Sequence, residues 1–227
     1  MEKLVLVLLA AAAARSLAAK HVFVSTRLSW TDAQEFCRNS YTDLSPLTNY
    51  LETLVFRQSV SDDQSGWVGV YWTTSRCSWS GTSGLQQTLN VSLLWKYERL
   101  FVAKKLELRG FFCLNLIVVQ EEKTWEEALD HCRENHHDFT SLISQTENLL
   151  AQNQIQNSTI TQRVWVGLRF LGDTWMWVNS NPLSYQAWTQ TGDQDQHSPV
   201  WKRCGALTKQ GEWENRDCEE KLHFICV

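Results

Sequence analysis

The chain repeats itself at a fixed offset. Ser29-Trp30-Thr31-Asp32-Ala33-Gln34-Glu35-Phe36-Cys37 returns 95 positions later as Thr124-Trp125-Glu126-Glu127-Ala128-Leu129-Asp130-His131-Cys132. The same offset carries Asp43 to Asp138, Leu47 to Leu142, Glu52 to Glu147 and Leu54 to Leu149. Further on, Trp67-Val68-Gly69-Val70 is echoed by Trp165-Val166-Gly167-Leu168. Self-similarity of this kind predicts two copies of one domain, and 227 residues suffice for two modest cores.

Each copy opens with a short apolar strand, Val22-Phe23-Val24 in the first and Leu116-Ile117-Val118-Val119 in the second. A helix follows, started by a hydroxyl-x-x-acid signal: Ser29 with Asp32, and Thr124 with Glu127. Trp30, Ala33 and Cys37, like Trp125, Ala128 and Cys132, recur at i, i+3, i+7 and so predict one buried face. A second helix is expected from Asn49 and from Ser144, with Glu52 and Glu147 in the acid slot. Its predicted apolar face is Leu51, Leu54 and Val55 in one copy, and Leu149, Leu150 and Ile155 in the other. Strands around Trp-Val-Gly come next. Phe111-Phe112-Cys113 matches the closing Phe224-Ile225-Cys226, and Leu114 already begins the next strand, so no Pro/Gly/Ser-rich linker parts the copies.

Residues 1–19 read as a secretory signal: Lys3, then an apolar run from Leu4 to Ala14, then small residues around Ser16-Leu17-Ala18-Ala19. That run is short for a bilayer span, and no second stretch approaches ~18 apolar residues, so a secreted protein without an anchor is expected. A net charge of −4 without like-charge runs argues against nucleic acid as a partner. Twelve tryptophans are expected mainly as core. Seven cysteines lie beyond the signal: Cys37, Cys77, Cys113, Cys132, Cys204, Cys218 and Cys226. In a secreted chain disulfides are the default, and the odd count leaves at least one cysteine without an intrachain partner.

These motifs resemble C-type lectin-like domains. The resemblance covers about residues 21–227. It is most specific in the second copy, where Trp125 to Cys132, Trp165-Val166-Gly167-Leu168, Trp175-x-Trp177, Trp188 and four cysteines occur in order. It implies an α+β fold of two tandem C-type lectin-like domains, with residues 20–113 a shortened copy and residues 114–227 a fuller one. It also implies Cys132–Cys226 as an outer disulfide and Cys204–Cys218 as an inner one, with Cys37–Cys113 as the outer bridge of the first copy. This pairing leaves Cys77 over, either as an inert thiol or as the link of a disulfide-bonded dimer. In the first copy the inner bridge is missing. Trp67 to Cys113 is 46 positions against 61 from Trp165 to Cys226, a deficit that falls in the long-loop region where this family binds ligand. Counting back from Cys113, Lys105 stands where Cys218 would. The first copy is therefore expected to be a scaffold or protein-contact domain.

Sugar-binding members hold a calcium ion with loop oxygens, typically through a Glu-Pro-Asn or Gln-Pro-Asp triplet, and the ion needs roughly 6–8 of them. The resemblance aligns that triplet with Asp193-Gln194-Asp195, which lacks the proline. It places Lys202 where a glutamate is usual, and the Trp-Asn-Asp motif becomes Trp213-Glu214-Asn215. Asp193, Gln194, Asp195, Glu214 and Asn215 are thus the candidate ligand and calcium residues, in a degenerate site. Lys202 brings a cation with no acceptor lone pair.

Two readings follow: a lectin for a glycan or glycoprotein, and a calcium-independent module for a protein partner. Asn90-Val91-Ser92 and Asn157-Ser158-Thr159 are glycosylation sequons. His131, His136 and His137 with Cys132 do not have zinc-module spacing. No Ser-His-Asp or paired-carboxylate arrangement is defined by spacing, so no enzyme is expected.

Overall fold

The computed structural model describes residues 19–72, 77–79, 91–189 and 199–227. The expected signal lies almost wholly outside them, as do Asn90 and the triplet Asp193-Gln194-Asp195. The fold is mixed α+β, with four helices and two small sheets among the described residues.

The N-terminal sheet is built from β1 (His21–Leu28), β2 (Asp43–Leu44), β3 (Gly66–Trp72), β4 (Cys77–Trp79), β5 (Val91–Lys96), β6 (Arg99–Lys104) and β7 (Arg109–Leu114), in the order β1-β7-β3-β5-β6. Helices α1 (Trp30–Ser40) and α2 (Tyr50–Ser59) pack on it. The C-terminal sheet holds β8 (Ile117–Lys123), β9 (Arg163–Leu171), β10 (Thr174–Trp177), β11 (Cys204–Thr208), β12 (Trp213–Arg216) and β13 (Leu222–Cys226), in the order β12-β11-β9-β13-β8, with α3 (Trp125–Asn135) and α4 (Gln145–Gln154). Read from the first strand of each, the two orders correspond strand for strand.

The correspondence reaches single hydrogen bonds. The indole of Trp30 donates to Val68 O at 2.9 Å, and that of Trp125 to Val166 O at 2.9 Å. Trp67 donates to Leu28 O at 3.0 Å, and Trp165 to Lys123 O at 3.0 Å. The bulkiest core side chains thereby satisfy their one polar atom on fixed backbone groups. The glycine of Trp-Val-Gly has a backbone reason. Gly69 N–H donates to Ser45 O, and Gly167 N–H to Thr140 O, both at 2.8 Å. A Cβ at Gly69 would lie 2.6 Å from Leu44 O, and one at Gly167 2.8 Å from Thr140 O.

Helix starts follow local chemistry. Asn49–Glu52 and Thr124–Glu127 form reciprocal capping boxes. At Ser29 and Ser144 the hydroxyl caps, but the acid does not return to the cap N–H. Asp32 accepts from the Ser29 hydroxyl instead, and Glu147 accepts from Lys20. The predicted apolar face of the second helices holds at Val55, Leu150 and Ile155, which are buried, and is corrected at Leu149. In α2 the buried residues are Glu52, Val55 and Phe56, and in α4 they are Glu147, Asn148, Leu150 and Ala151. Leu149 is 38% exposed. Burying the acid at N3 turns Glu147, Leu150 and Ala151 inward, and one residue further along the helix swings Leu149 by about 100°.

Among the described residues three disulfides are formed: Cys37–Cys113, Cys132–Cys226 and Cys204–Cys218, spanning 76, 94 and 14 residues. On a chain-entropy argument the two wide ones contribute about 4–5 kcal/mol each and the narrow one about 3. Both wide bridges are wholly buried.

The two halves are in contact. Val55, Leu114 and Leu116 belong to the same buried cluster as Leu142, Ile143 and Leu150. Beside that cluster, Lys20 Nζ donates to Glu147 Oε2 at 2.8 Å and to Ser141 O at 2.9 Å. The Ser144 hydroxyl donates to Glu52, so the N-cap of α4 reaches the N3 acid of α2.

Candidate functional site

The candidate site is built around β12 and the chain that returns to it. Trp213 is wholly buried; its indole N–H donates to Asn148 Oδ1 at 2.7 Å. Trp177, Tyr185 and Trp188 stand edge-on to its ring at 5.3, 5.6 and 5.7 Å. Its backbone holds the returning chain: Trp213 N–H donates to Ala187 O at 2.6 Å, and Thr189 N–H to Trp213 O at 3.0 Å. A segment outside regular structure is thus fixed as an extra extended piece along the β12 edge.

β12 alternates. Trp213 and Asn215 are buried while Glu214 and Arg216 face partly outward. Glu214 Oε2 accepts from Arg163 Nε at 2.7 Å, with the two side chains 27% and 31% exposed. Asn215 is 6% exposed and its Nδ2 has no hydrogen-bond partner. Structure therefore brings Glu214 and Asn215 to adjacent positions on one strand, but turns them to opposite faces and gives Glu214 a guanidinium. The alternation of a β-strand dictates the first of these facts. The second was missed: Arg163 stands two residues before the Trp165 motif, and only the strand register brings it near Glu214. Asp193, Gln194 and Asp195 lie outside the described residues.

Tested against a calcium ion, this described part of the donor set does not fit. A hard dication needs several converging oxygens. One carboxylate here is neutralised by Arg163, and the amide beside it is buried on the other face. The remaining group of metal-type ligands among the described residues is Glu126 with the sulfurs of Cys204 and Cys218. Those sulfurs are bonded to each other, so neither offers a thiolate. Arg169 occupies the place of a cation there: it pairs with Glu126 at 2.9 Å, lies 2.6 Å from Cys218 Sγ, and sits 5.0 Å from the Trp125 ring centroid.

The loop leading into β11 presents Trp201, 78% exposed, and Val200, 61% exposed. An outward indole is a flat bicyclic surface on which an apolar ligand face can stack. Counting tryptophans alone could not have found it, because Trp30, Trp67, Trp95, Trp125, Trp165, Trp177 and Trp213 are all buried.

A family model described as the Lectin C-type domain matches residues 121–227. Lymphocyte antigen 75 of Homo sapiens is 22% identical over 144 residues, which cover 63% of this chain and 8% of that protein. C-type mannose receptor 2 of Homo sapiens is 29% identical over 112 residues, covering 47% of this chain and 7% of that protein. Among solved structures, human lithostathine aligns with 49% of this chain and 88% of its own at 24% identity, with a TM-score of 0.44. The matched stretch spans less than a tenth of the length of each of these two relatives.

Proposed function

We propose, on the C-type lectin domain family that the family model and the relatives support for residues 121–227, that this chain is a secreted recognition protein binding glycans or glycoproteins through its C-terminal half. Residues 114–227 are the recognition domain, and residues 20–113 a shortened copy of it acting as scaffold. The carrying observation is the Trp213 wall: a buried aromatic cluster whose backbone pins Ala187 and Thr189 to the edge of β12, with Glu214 the next residue on that strand. The matching strand orders and paired indole bonds of the two sheets support the duplication. Exposed Asn157, whose side chain accepts from Thr159 N–H at 3.1 Å, is a surface position open to glycosylation. No helix among the described residues is long and apolar enough to cross a membrane.

The ion pair of Glu214 with Arg163 favours a second reading, recognition of a protein partner without calcium. A glycan array run with calcium and again with chelator separates the two. Retention of a glycan class in either arm supports the lectin reading, and loss on chelation assigns calcium to the loop carboxylates. Silence in both arms sinks it and leaves the protein partner. Arg163→Ala, which frees Glu214, is expected to strengthen any calcium response several-fold.

A further inference from the structure

We propose that the groove between α3 and the β9–β10 hairpin binds a small uncharged molecule with an apolar body and one hydroxyl, an alcohol or a phenol. The cavity there holds about 610 Å³, an ordinary size for a small-molecule site. Trp125 and Leu129 of α3 form one wall. Leu171 and Met176 of the hairpin, with Val178 just beyond it, form the other. Leu171 and Met176 are 49% and 40% exposed, and a thioether chain adapts to apolar surfaces of irregular shape. Trp213, Glu214 and Asn215 do not line this cavity, so it is separate from the β12 edge.

The fold does not require these apolar walls. At the offset of 95, Gln34 stands where Leu129 stands. The Trp-Val-Gly strands match residue for residue, so Tyr71 holds the place of Arg169. Tyr71 pairs with Ser78 as Arg169 pairs with Met176. The N-terminal half thus forms its helix and its hairpin with an amide and a hydroxyl where the C-terminal half carries two large apolar side chains. Exposed apolar area that a matching scaffold does without is the mark of a binding surface.

Charge selects an uncharged occupant. The cations at the groove are Arg169 and Arg133, and each already holds a carboxylate: Arg169 pairs with Glu126 at 2.9 Å, and Arg133 with Asp138 at 3.0 Å. An anionic head would have to displace one of these carboxylates. A cationic head finds the Trp125 ring taken by Arg169, 5.0 Å from its centroid. A charge drawn from water into an apolar groove without a partner is penalised, so both ionic heads are disfavoured. Glu126 and Arg133 stand seven residues apart on α3, about 10 Å along its axis, which sets the length of apolar body that fits between the two pairs. Ser180 also lines the groove, and its hydroxyl makes no hydrogen bond among the described residues. It can donate and accept, which matches a hydroxyl on the ligand.

The test is displacement of the uncharged fluorophore N-phenyl-1-naphthylamine by three probes that share one chain and differ in the head: 1-octanol, octanoate and octylammonium. Octanol is expected to displace it at least about tenfold more effectively than either ion. Leu129→Gln and Met176→Ser, which install the residues of the other half, should each weaken octanol binding at least about threefold and together at least about tenfold. Leu106→Gln, at a leucine of the N-terminal half that is 75% exposed, should leave it unchanged. The proposal is overturned if octanol fails to displace the fluorophore, if the three heads act equally, or if Leu106→Gln weakens binding as much as the groove variants do. It is also overturned if light scattering shows a dimer that Leu129→Gln dissolves, which would assign the groove to a second copy.

Discussion

Replacing Lys20 by Met tests how the two halves are joined. The Lys20 and Glu147 side chains are 7% and 1% exposed and 2.8 Å apart. Glu147 Oε2 also accepts from Ile143 N–H at 3.0 Å, while Oε1 has no partner. Burial pushes the Glu147 carboxyl up from its ordinary range; the Lys20 charge opposes this and the nearby Glu52 charge adds to it. Without Lys20, an ionised Glu147 keeps one backbone donor and a like charge as its neighbour. Removing one partner of a buried pair costs about 3–5 kcal/mol, so Lys20→Met should lose that much at pH 7.5. The pH dependence has a definite sign. A carboxyl raised in the fold contributes stability that is fully present below its unfolded value near 4.5 and lost as pH rises through its folded value. The defect should therefore shrink as pH falls toward 5. Lys20→Met combined with Glu147→Leu should return to within about 1 kcal/mol of the parent, because an apolar pair restores what an orphaned charge destroys. Urea unfolding at pH 5.0 and 7.5 with disulfides intact reads all three. A Lys20→Met loss under about 1 kcal/mol, or one indifferent to pH, would refute the reasoning.

Gly69→Ala and Gly167→Ala should each destabilise by about 2–3 kcal/mol, since the new Cβ meets backbone oxygen. Gly172→Ala, at φ +54° with open space around it, should cost only about 1 kcal/mol, and thermal melts compare the three. His21 is buried against Phe56, with its Nδ1 3.0 Å from Ser45 Oγ. Burial, then the Lys20 charge, holds its pKa well below the ordinary 6.5. The unfolded chain takes up a proton there and the fold does not, so stability is full above pH 6.5 and falls below it. Between pH 7 and 5 the parent should lose about 2 kcal/mol more than His21→Phe does, measured by denaturant midpoints; equal slopes would contradict this.

Helix starts and strand cores were legible because short-range chemistry decides them. A capping hydroxyl or amide and an acid three residues on predict where Trp30 and Trp125 enter the core, and both are buried there. Leu150 and Ile155 of the expected α4 face are buried, but the place of Leu149 was not legible, because tertiary contact decided it: Glu147 is drawn inward by Lys20, 127 residues away, and Leu149 is turned out. Arg163 was invisible as a partner of Glu214 for the same reason, being 51 positions distant and brought near only through β11. Glu52 and Glu147 did carry a signal. Acids at matching sequence offsets, each at N3 of a helix, are natural places for the two halves to touch, and Glu52 accepts from the N-cap of the helix that carries Glu147.

Lys105 stands where Cys218 stands in the other half. Its carbonyl accepts from Trp30 N–H at 2.9 Å, as that of Cys218 accepts from Trp125 N–H at 2.9 Å. Its ammonium lies 4.7 Å from the Trp30 ring centroid, as the guanidinium of Arg169 lies over Trp125. The first helix of each half is therefore moored by main chain and by a cation on an indole, and sulfur is dispensable to that mooring. The same mooring serves beside the narrow disulfide in one half and without such a bridge in the other.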